Sequence, residues 1–296
     1  MKKITFECRL LTPYFVAGAD GIQPEFRPSA IKASLRFWWR ALNGHLSLLE
    51  LKRKEVEIFG GGGESASKSS VIVRCTHPEF LATDLHLYKR QGKKITQKGF
   101  VANQSLEVTL GLSSRVGQNF DIDKLQAIFE LACLLGGIGK RSRRGRGSIA
   151  ITRFKQNDDK GWSDYSAPEK LQDILTKITL ITEWYQEENN MLVFKYPGKT
   201  ELYPFAQQIQ VGNSNKDILG KIDQTTHELL QKHQVKYKAS MGHVNRRFAS
   251  PVYTSAITNS KGDLIPIITT LKNVPDQNHG ASVSGLVVDE FKNRIL

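Results

Sequence analysis

The sequence predicts an α+β protein built on an open antiparallel sheet backed by helices. Three observations predict it. Short runs of β-forming residues alternate with two long segments of helical periodicity. Glycine, proline and asparagine clusters separate these runs at lengths suited to turns. Apolar content of 40% and charged content of 24% over 296 residues describe a globular chain with room for one large domain or two small ones.

Lys3 to Leu11 reads as a strand that ends at Thr12-Pro13. A loop with Gly18-Ala19-Asp20-Gly21 follows. From Ser29 to about Leu49, Ile31, Leu35, Trp38, Leu42 and Leu46 recur at helical spacing and form one apolar stripe. The four glycines after Phe59 and the serines up to Ser70 make a loop, and Val71 to Cys75 makes a strand. A second loop at 89–99 carries five cations, and Ser105 to Leu112 alternates as a strand. Asp121 caps a helix to Leu135 whose inward residues are Ile122, Leu125, Ile128, Phe129, Ala132 and Leu135, and Gly136-Gly137 stops it. Ser148 to Phe154 is the next strand. The order strand, helix, strand, strand, helix, strand over 1–155 is that of a ferredoxin-like (RRM-like) βαββαβ unit.

After a polar break at 157–161 the pattern loosens. Helices are expected at 168–188 and 215–233, a hairpin from Phe248 to Leu271 turning at 259–263, and a final helix from Val283 to Arg294. Residues 156–296 therefore read as a second, degenerate α/β half. No fixed-period repeat is visible.

Charge divides the chain more sharply than pattern does. Residues 1–150 hold 24 Lys and Arg against 13 Asp and Glu, whereas 151–296 hold 18 against 16. The net +13 is thus concentrated in the first half, which points to a polyanionic partner there. Its densest part is Lys140 to Arg146, where five of seven residues are basic and none is acidic, set among Gly136, Gly137, Gly139, Gly145 and Gly147. Glycines permit close backbone approach and guanidinium groups match phosphate oxygens. Lys32, Arg36 and Arg40 form a second basic row at four-residue spacing on the first helix. In isolation such a row more commonly means a solvated helix face. Trp38 and Trp39 are adjacent and cannot both enter one core, leaving Trp39 available to a base. The expected RNA-binding residues are Lys32, Arg36, Trp39, Arg40, Gly139, Lys140, Arg141, Arg143, Arg144 and Arg146. Lys89, Arg90, Lys93 and Lys94 form a possible additional loop.

Other chemistry has little support. Cys8, Cys75 and Cys133 are scattered and odd in number, so free thiols in a reducing cytoplasm are expected, with no disulfide framework, metal or cofactor. Met1-Lys2-Lys3 has the charge of a leader start, but Glu7 and Arg9 interrupt the apolar run, so a strand is expected there. No apolar run approaches membrane-spanning length. Gly62 to Ser69 departs from a P-loop in having Ser67 for its second glycine and in preceding a strand. His227 and His233 are six apart, too far for a zinc-protease pair. Asp20, in a glycine-flanked loop, and His45, at the end of the basic helix, are the two residues on which an RNA-cleaving reading could rest. A turn aspartate and a helix-end histidine near the C-terminal dipole are the commoner meanings of these two residues.

Four segments resemble a known family. Leu11 to Asp20 is similar to the opening strand and loop of RAMP-superfamily CRISPR proteins. Arg27 to Leu42, with its Leu-Arg-Phe-Trp-Trp-Arg core, resembles the first-helix signature of the branch that forms the first subunit of Cmr (type III-B) effector complexes. Gly136 to Ser148 resembles the glycine-rich loop of the superfamily, and Ala249 to Tyr253 a motif of the C-terminal half. Ala33 stands where glycine is usual, and Arg146 where an aromatic or small residue is common. The resemblance implies a non-catalytic RNA-binding subunit of a cytoplasmic ribonucleoprotein, holding the 3′ region of a CRISPR RNA, helping capture target RNA and contacting other RAMP subunits. A metal-independent CRISPR RNA-processing endoribonuclease acting through His45 or Asp20 is the competing expectation. A scaffold whose basic loop meets an acidic protein surface is the third.

Overall fold

The computed structural model describes residues 1–296 other than 63–65, 91–92, 115–116, 118, 158–160, 234–238, 243–247, 260, 273 and 275–281, and gives only the backbone for the rest of 87–94. In chain order the first half contains β1 (Lys2–Leu10), α1 (Pro28–Leu42), α2 (Leu48–Phe59), β2 (Val71–Thr76), β3 (Ala82–Arg90), β4 (Lys93–Phe100), β5 (Ser105–Leu112), α3 (Ile122–Leu135) and β6 (Ile149–Gln156). The second contains β7 (Ser163–Asp164), α4 (Leu171–Thr179), β8 (Tyr185–Glu188), β9 (Met191–Phe194), β10 (Ala206–Val211), α5 (Ile218–Lys232), β11 (Val252–Thr258), β12 (Leu264–Leu271) and α6 (Gly285–Ile295). Among the described residues no helix is long and apolar enough to cross a membrane.

Two five-stranded sheets form, in the orders β2-β5-β1-β6-β7 and β11-β12-β10-β9-β8, with every neighbouring pair antiparallel. The first three positions of the two orders correspond. In each, a helical connection (α1 with α2, or α5) joins the strand at the third position (β1 or β10) to the edge strand (β2 or β11), and another helix (α3 or α6) follows the strand at the second position (β5 or β12). The fourth position differs: β6 fills it after α3, whereas β9 fills it from upstream of β10. This duplication has no periodic trace in the sequence because the matching elements differ in length and order.

Three expectations need correction. The first helix stops at Leu42, where Asn43 donates its side chain back to Trp39 O at 2.7 Å, and a separate helix α2 begins at Ser47. Ser47 and Glu50 form a capping box there, a Ser-x-x-Glu signal visible in the sequence. The 89–99 loop is part of a two-stranded hairpin, β3–β4, inserted between β2 and β5. It is anchored where Tyr14 and Phe100 exchange backbone hydrogen bonds, and Phe26, Phe80 and Phe100 pack beside them. The helix expected at 168–188 ends at Thr179, and the chain then turns through Asn189 and Asn190, at φ 49° and 58°, to form the β8–β9 hairpin. Left-handed Asn-Asn pairs suit such tight turns. Of the expected 157–161 break, 158–160 lie outside the described residues.

Helix α3 is the centre of the molecule. On one side Phe129 meets Phe6 of β1 at 4.7 Å between ring centroids. On the other it packs against β11 and β12, with the Ser255 hydroxyl donating to Leu134 O. Ala127, Leu131 and Leu134 are therefore buried as well as Leu125, Ile128, Phe129, Ala132 and Leu135 of the predicted stripe, whose first residue, Ile122, is only partly covered. An all-round apolar helix requires cover on both sides. A second seam joins the halves through Tyr203, whose hydroxyl lies 2.8 Å from both Asn43 O and Leu46 O.

Helices α5 and α6 are stapled at the surface by Glu290, which lies 2.9 Å from Lys232, 2.6 Å from Arg294 and 3.4 Å from His233. The hydrogen bond from Lys232, aided by those from Arg294 and His233 and opposed by burial, holds its carboxyl down to about 2, below its ordinary 4.5. Because the folded value is the lower one, the staple contributes fully above the unfolded value and is lost as pH falls toward about 2. Urea unfolding at successive pH values through that window should show a shallower stability slope for Glu290→Gln than for the parent.

Candidate nucleic-acid interface

The basic loop runs from α3 to β6, as the sequence predicts, and closes on itself. Ile138 N donates to Gly147 O at 2.9 Å, bringing its two limbs together. Lys140 N donates to Phe15 O at 2.7 Å and Gly147 N to Pro13 O at 2.9 Å, which bind it to the segment after β1. Gly145 N donates to Thr254 O on β11 at 2.8 Å. Gly147 has φ 67°, and a Cβ there would lie 2.0 Å from Ile138 O; at Gly139, φ 84°, it would lie 2.3 Å from Phe15 O. These glycines thus serve backbone-on-backbone packing, and only Gly139 of the two is exposed.

The loop's cations divide into inward and outward sets. Arg144 is 4% exposed and Arg146 is 3% exposed. Arg144 donates through Nη2 to Met241 O at 2.7 Å and through Nη1 to Val252 O at 3.2 Å and Arg143 O at 3.0 Å. Its guanidinium lies 5.4 Å from the Phe291 ring centroid. Burial first, then Arg141 and Arg143, push its pKa down to about 9, so it stays charged at neutral pH. Arg146 donates to Asp223 of α5 at 2.7 Å. The expectation that Arg144 and Arg146 grip RNA is corrected: both are consumed by the join between the halves. Arg143 is half-buried, 4.5 Å over the Tyr253 ring and donating to Ser250 O. Lys140 is exposed, and Arg141 is partly exposed at 3.3 Å from Asp223.

The helix-face row also changes meaning. Arg36 lies 2.7 Å and Arg40 3.7 Å from Glu55 of α2, a carboxylate that is 6% exposed. Paired guanidinium groups around a buried acid reduce the charge offered to solvent. Lys32 remains at the helix surface, half-buried, its pKa lowered by burial and then by Arg36. Trp39 is 4% exposed and packs edge-on to Phe59, so the expectation that it offers a face to a base is corrected. Without α2, which buries both, neither outcome is visible in the helix stripe. The side chains of Lys89, Arg90, Lys93 and Lys94 lie outside the described residues.

Between the β3–β4 hairpin, the loop and α5 lies a groove of about 810 Å³, lined among others by His86, Arg146, Lys221, Asp223 and His227. Asp223 gathers three elements at once, meeting Arg146, Arg141 and, at 3.6 Å, His86. The other acid at its wall, Asp217, caps α5 through Gly220 N at 3.0 Å. Both carboxylates are thus occupied internally. Of the elements that make this groove, α5 is the helix expected at 215–233, and the β3–β4 hairpin is the part that sequence reading missed.

Asp20 and His45 are not brought together. Asp20 precedes and His45 follows α1, a helix about 22 Å long. Asp20 is exposed and accepts from Ile22 N at 2.9 Å and Gln23 N at 3.0 Å, bonds that lower its pKa, Ile22 first. His45 lies about 6 Å from the rings of Trp184 and Tyr196, its pKa lowered by burial and then by Lys54.

Residues 7–150 match the model of the RAMP superfamily. The relatives within that class are Cmr subunits. The chain is 26% identical over 190 residues to CRISPR system Cmr subunit Cmr1-2 of Pyrococcus furiosus, covering 53% of this chain and 98% of that protein. The crystal structure of apo Cmr1 from Pyrococcus furiosus matches with TM-score 0.60 at 18% identity, over 100% of this chain and 96% of that one. A chain of type III-B Cmr-beta bound to cognate target RNA matches with TM-score 0.62 at 13% identity over 100% of both. The resemblance read from the tryptophan-arginine helix and the glycine-rich loop therefore holds, and the fold is shared over the whole length.

Truncating Arg144 to Ala would strand several buried carbonyls and remove the charge between the halves. Urea unfolding should report a loss of about 3–5 kcal/mol, with Lys140→Ala, at the exposed end of the same loop, close to neutral.

Proposed function

We propose that this chain is a non-catalytic RNA-binding subunit of a type III CRISPR ribonucleoprotein, gripping the 3′ region of a CRISPR RNA and helping to capture single-stranded target RNA. The observation that carries this reading is the groove of about 810 Å³ floored by the basic loop, in a chain of net charge +13. The two acids that line it are already paired or capping a helix, so an incoming phosphate meets Lys221 in the groove, and Lys140 and Arg141 of the adjoining loop extend the basic surface beside it. Backbone grip of this kind is tolerant of sequence.

The architecture supports reading 1–155 as a ferredoxin-like βαββαβ unit, since β2-β5-β1-β6 carries α1 and α3 in the connections such a unit requires. Residues 156–296 are then a degenerate copy. Its partners would be the guide and target RNA and other RAMP subunits of a Cmr complex, in a reducing cytoplasm that suits its free Cys8, Cys75 and Cys133. A solved relative bound to cognate target RNA is consistent with that company.

With Arg144 and Arg146 withdrawn from the contact set, about three phosphates are neutralised. The log–log salt slope for single strands should then be near −2. Filter binding should show Lys140→Glu/Arg141→Glu/Lys221→Glu losing most RNA affinity while unfolding stays cooperative. Equal binding by that variant and the parent would overturn the groove reading. Labelled repeat RNA incubated with the parent, Asp20→Asn and His45→Ala should remain intact in all three. Cleavage by the parent that either variant abolishes would install the endoribonuclease instead.

A further inference from the structure

The face of the first sheet turned away from α3 carries a second arrangement of cations and an aromatic ring. Register places Lys155, Thr5, Thr109 and Arg74 side by side across β6, β1, β5 and β2. Four strands span roughly 14 Å, so this row ends in a cation on each side. Between them the Thr5 and Thr109 hydroxyls lie 3.0 Å apart. The next row on the same face is Arg153, Glu7, Glu107 and Thr76. Arg153 pairs with Glu7, while Glu107 is exposed.

Trp162 lies over the β6 end of both rows. Lys155 Nζ stands 4.5 Å and Arg153 Cζ 5.5 Å from its ring centroid, and the ring is partly exposed. Two cations beside one indole set phosphate-binding charge next to a flat apolar surface, the combination that single-stranded nucleic acid uses. The sheet centre has the opposite character. Glu7 and Glu107 face each other across β1 and β5, where phosphates would be repelled and base amines could be accepted.

We infer that this outer sheet face is a second binding site for single-stranded RNA, with phosphates at the Lys155/Arg153 and Arg74 rims, bases directed at the sheet, and one base stacked on Trp162. The inference rests on the RNA-binding reading above but uses residues on another surface. Charge complementarity at the rims selects RNA over an apolar partner, and the central carboxylates select bases bearing an amine.

Titration with a short oligocytidylate, read by tryptophan fluorescence, tests it: Trp38 and Trp39 are buried, the partly exposed Trp184 is common to the parent and Trp162→Phe, and the difference between the two reports quenching of Trp162. The parent should be quenched, and Trp162→Phe should lose most of that quenching. Arg74→Glu/Lys155→Glu, which changes only surface side chains, should weaken binding by about tenfold. The groove variant Lys140→Glu/Arg141→Glu/Lys221→Glu should keep Trp162 quenching. Undiminished quenching in Trp162→Phe, or parental affinity in Arg74→Glu/Lys155→Glu, overturns the sheet site. If the groove variant alone then loses RNA, the groove reading stands without it. No binding by the parent removes both.

Discussion

A buried guanidinium holds this molecule together. Arg144 stays charged inside the fold because carbonyl oxygens from its own loop, from the turn at Met241 and from the start of β11 surround it, with Phe291 of α6 against its face. Removing a charge from water is costly, and the cost is offset only when every donor is placed. Such placement requires both halves in position at once. Arg146 ties the same seam through Asp223 and Arg144 O, and Gly145 adds a backbone bond to Thr254. The glycine-rich loop is therefore first a structural joint, and only its outer residues are left for a ligand.

The joint explains why the groove sits where it does. Asp223 draws the hairpin through His86, the loop through Arg141 and Arg146, and α5 through its own backbone into one place. The walls of the groove are thus fixed relative to its floor by one carboxylate. A preformed wall reduces the ordering cost that a flexible strand of RNA would otherwise meet on binding. The same compactness leaves Lys140 exposed as the loop's outermost cation.

Much of the first sheet was legible in the sequence because strand alternation and the helical stripes of α1 and α3 are local signals. Ser47 and Glu50 carried a local signal too, although the apolar stripe running past Leu42 hid it. The β8–β9 hairpin was masked by helix-compatible residues up to Glu188, and only Asn189-Asn190 marks it. The site was less legible, since a basic residue looks the same in sequence whether it meets solvent, a buried Glu55 or a ring of carbonyls. What decides among these is tertiary: α2 for Arg36 and Arg40, α5 for Arg146, β11 for Arg144.

Helix α3 closes the first sheet and is also the floor on which the second is laid, with Ala127, Leu131 and Leu134 covered alongside Phe129. A fragment ending near residue 155 would keep β2, β5, β1 and β6 of its own sheet and lose only the two-residue edge strand β7, yet present those side chains to water as an adhesive strip. The unit that appears duplicated in architecture is thus not a unit that can be lived in alone. During synthesis the emerging first half would be a client for chaperones until β11 and β12 arrive, which makes the slowest-arriving strands the ones that confer solubility on the earliest.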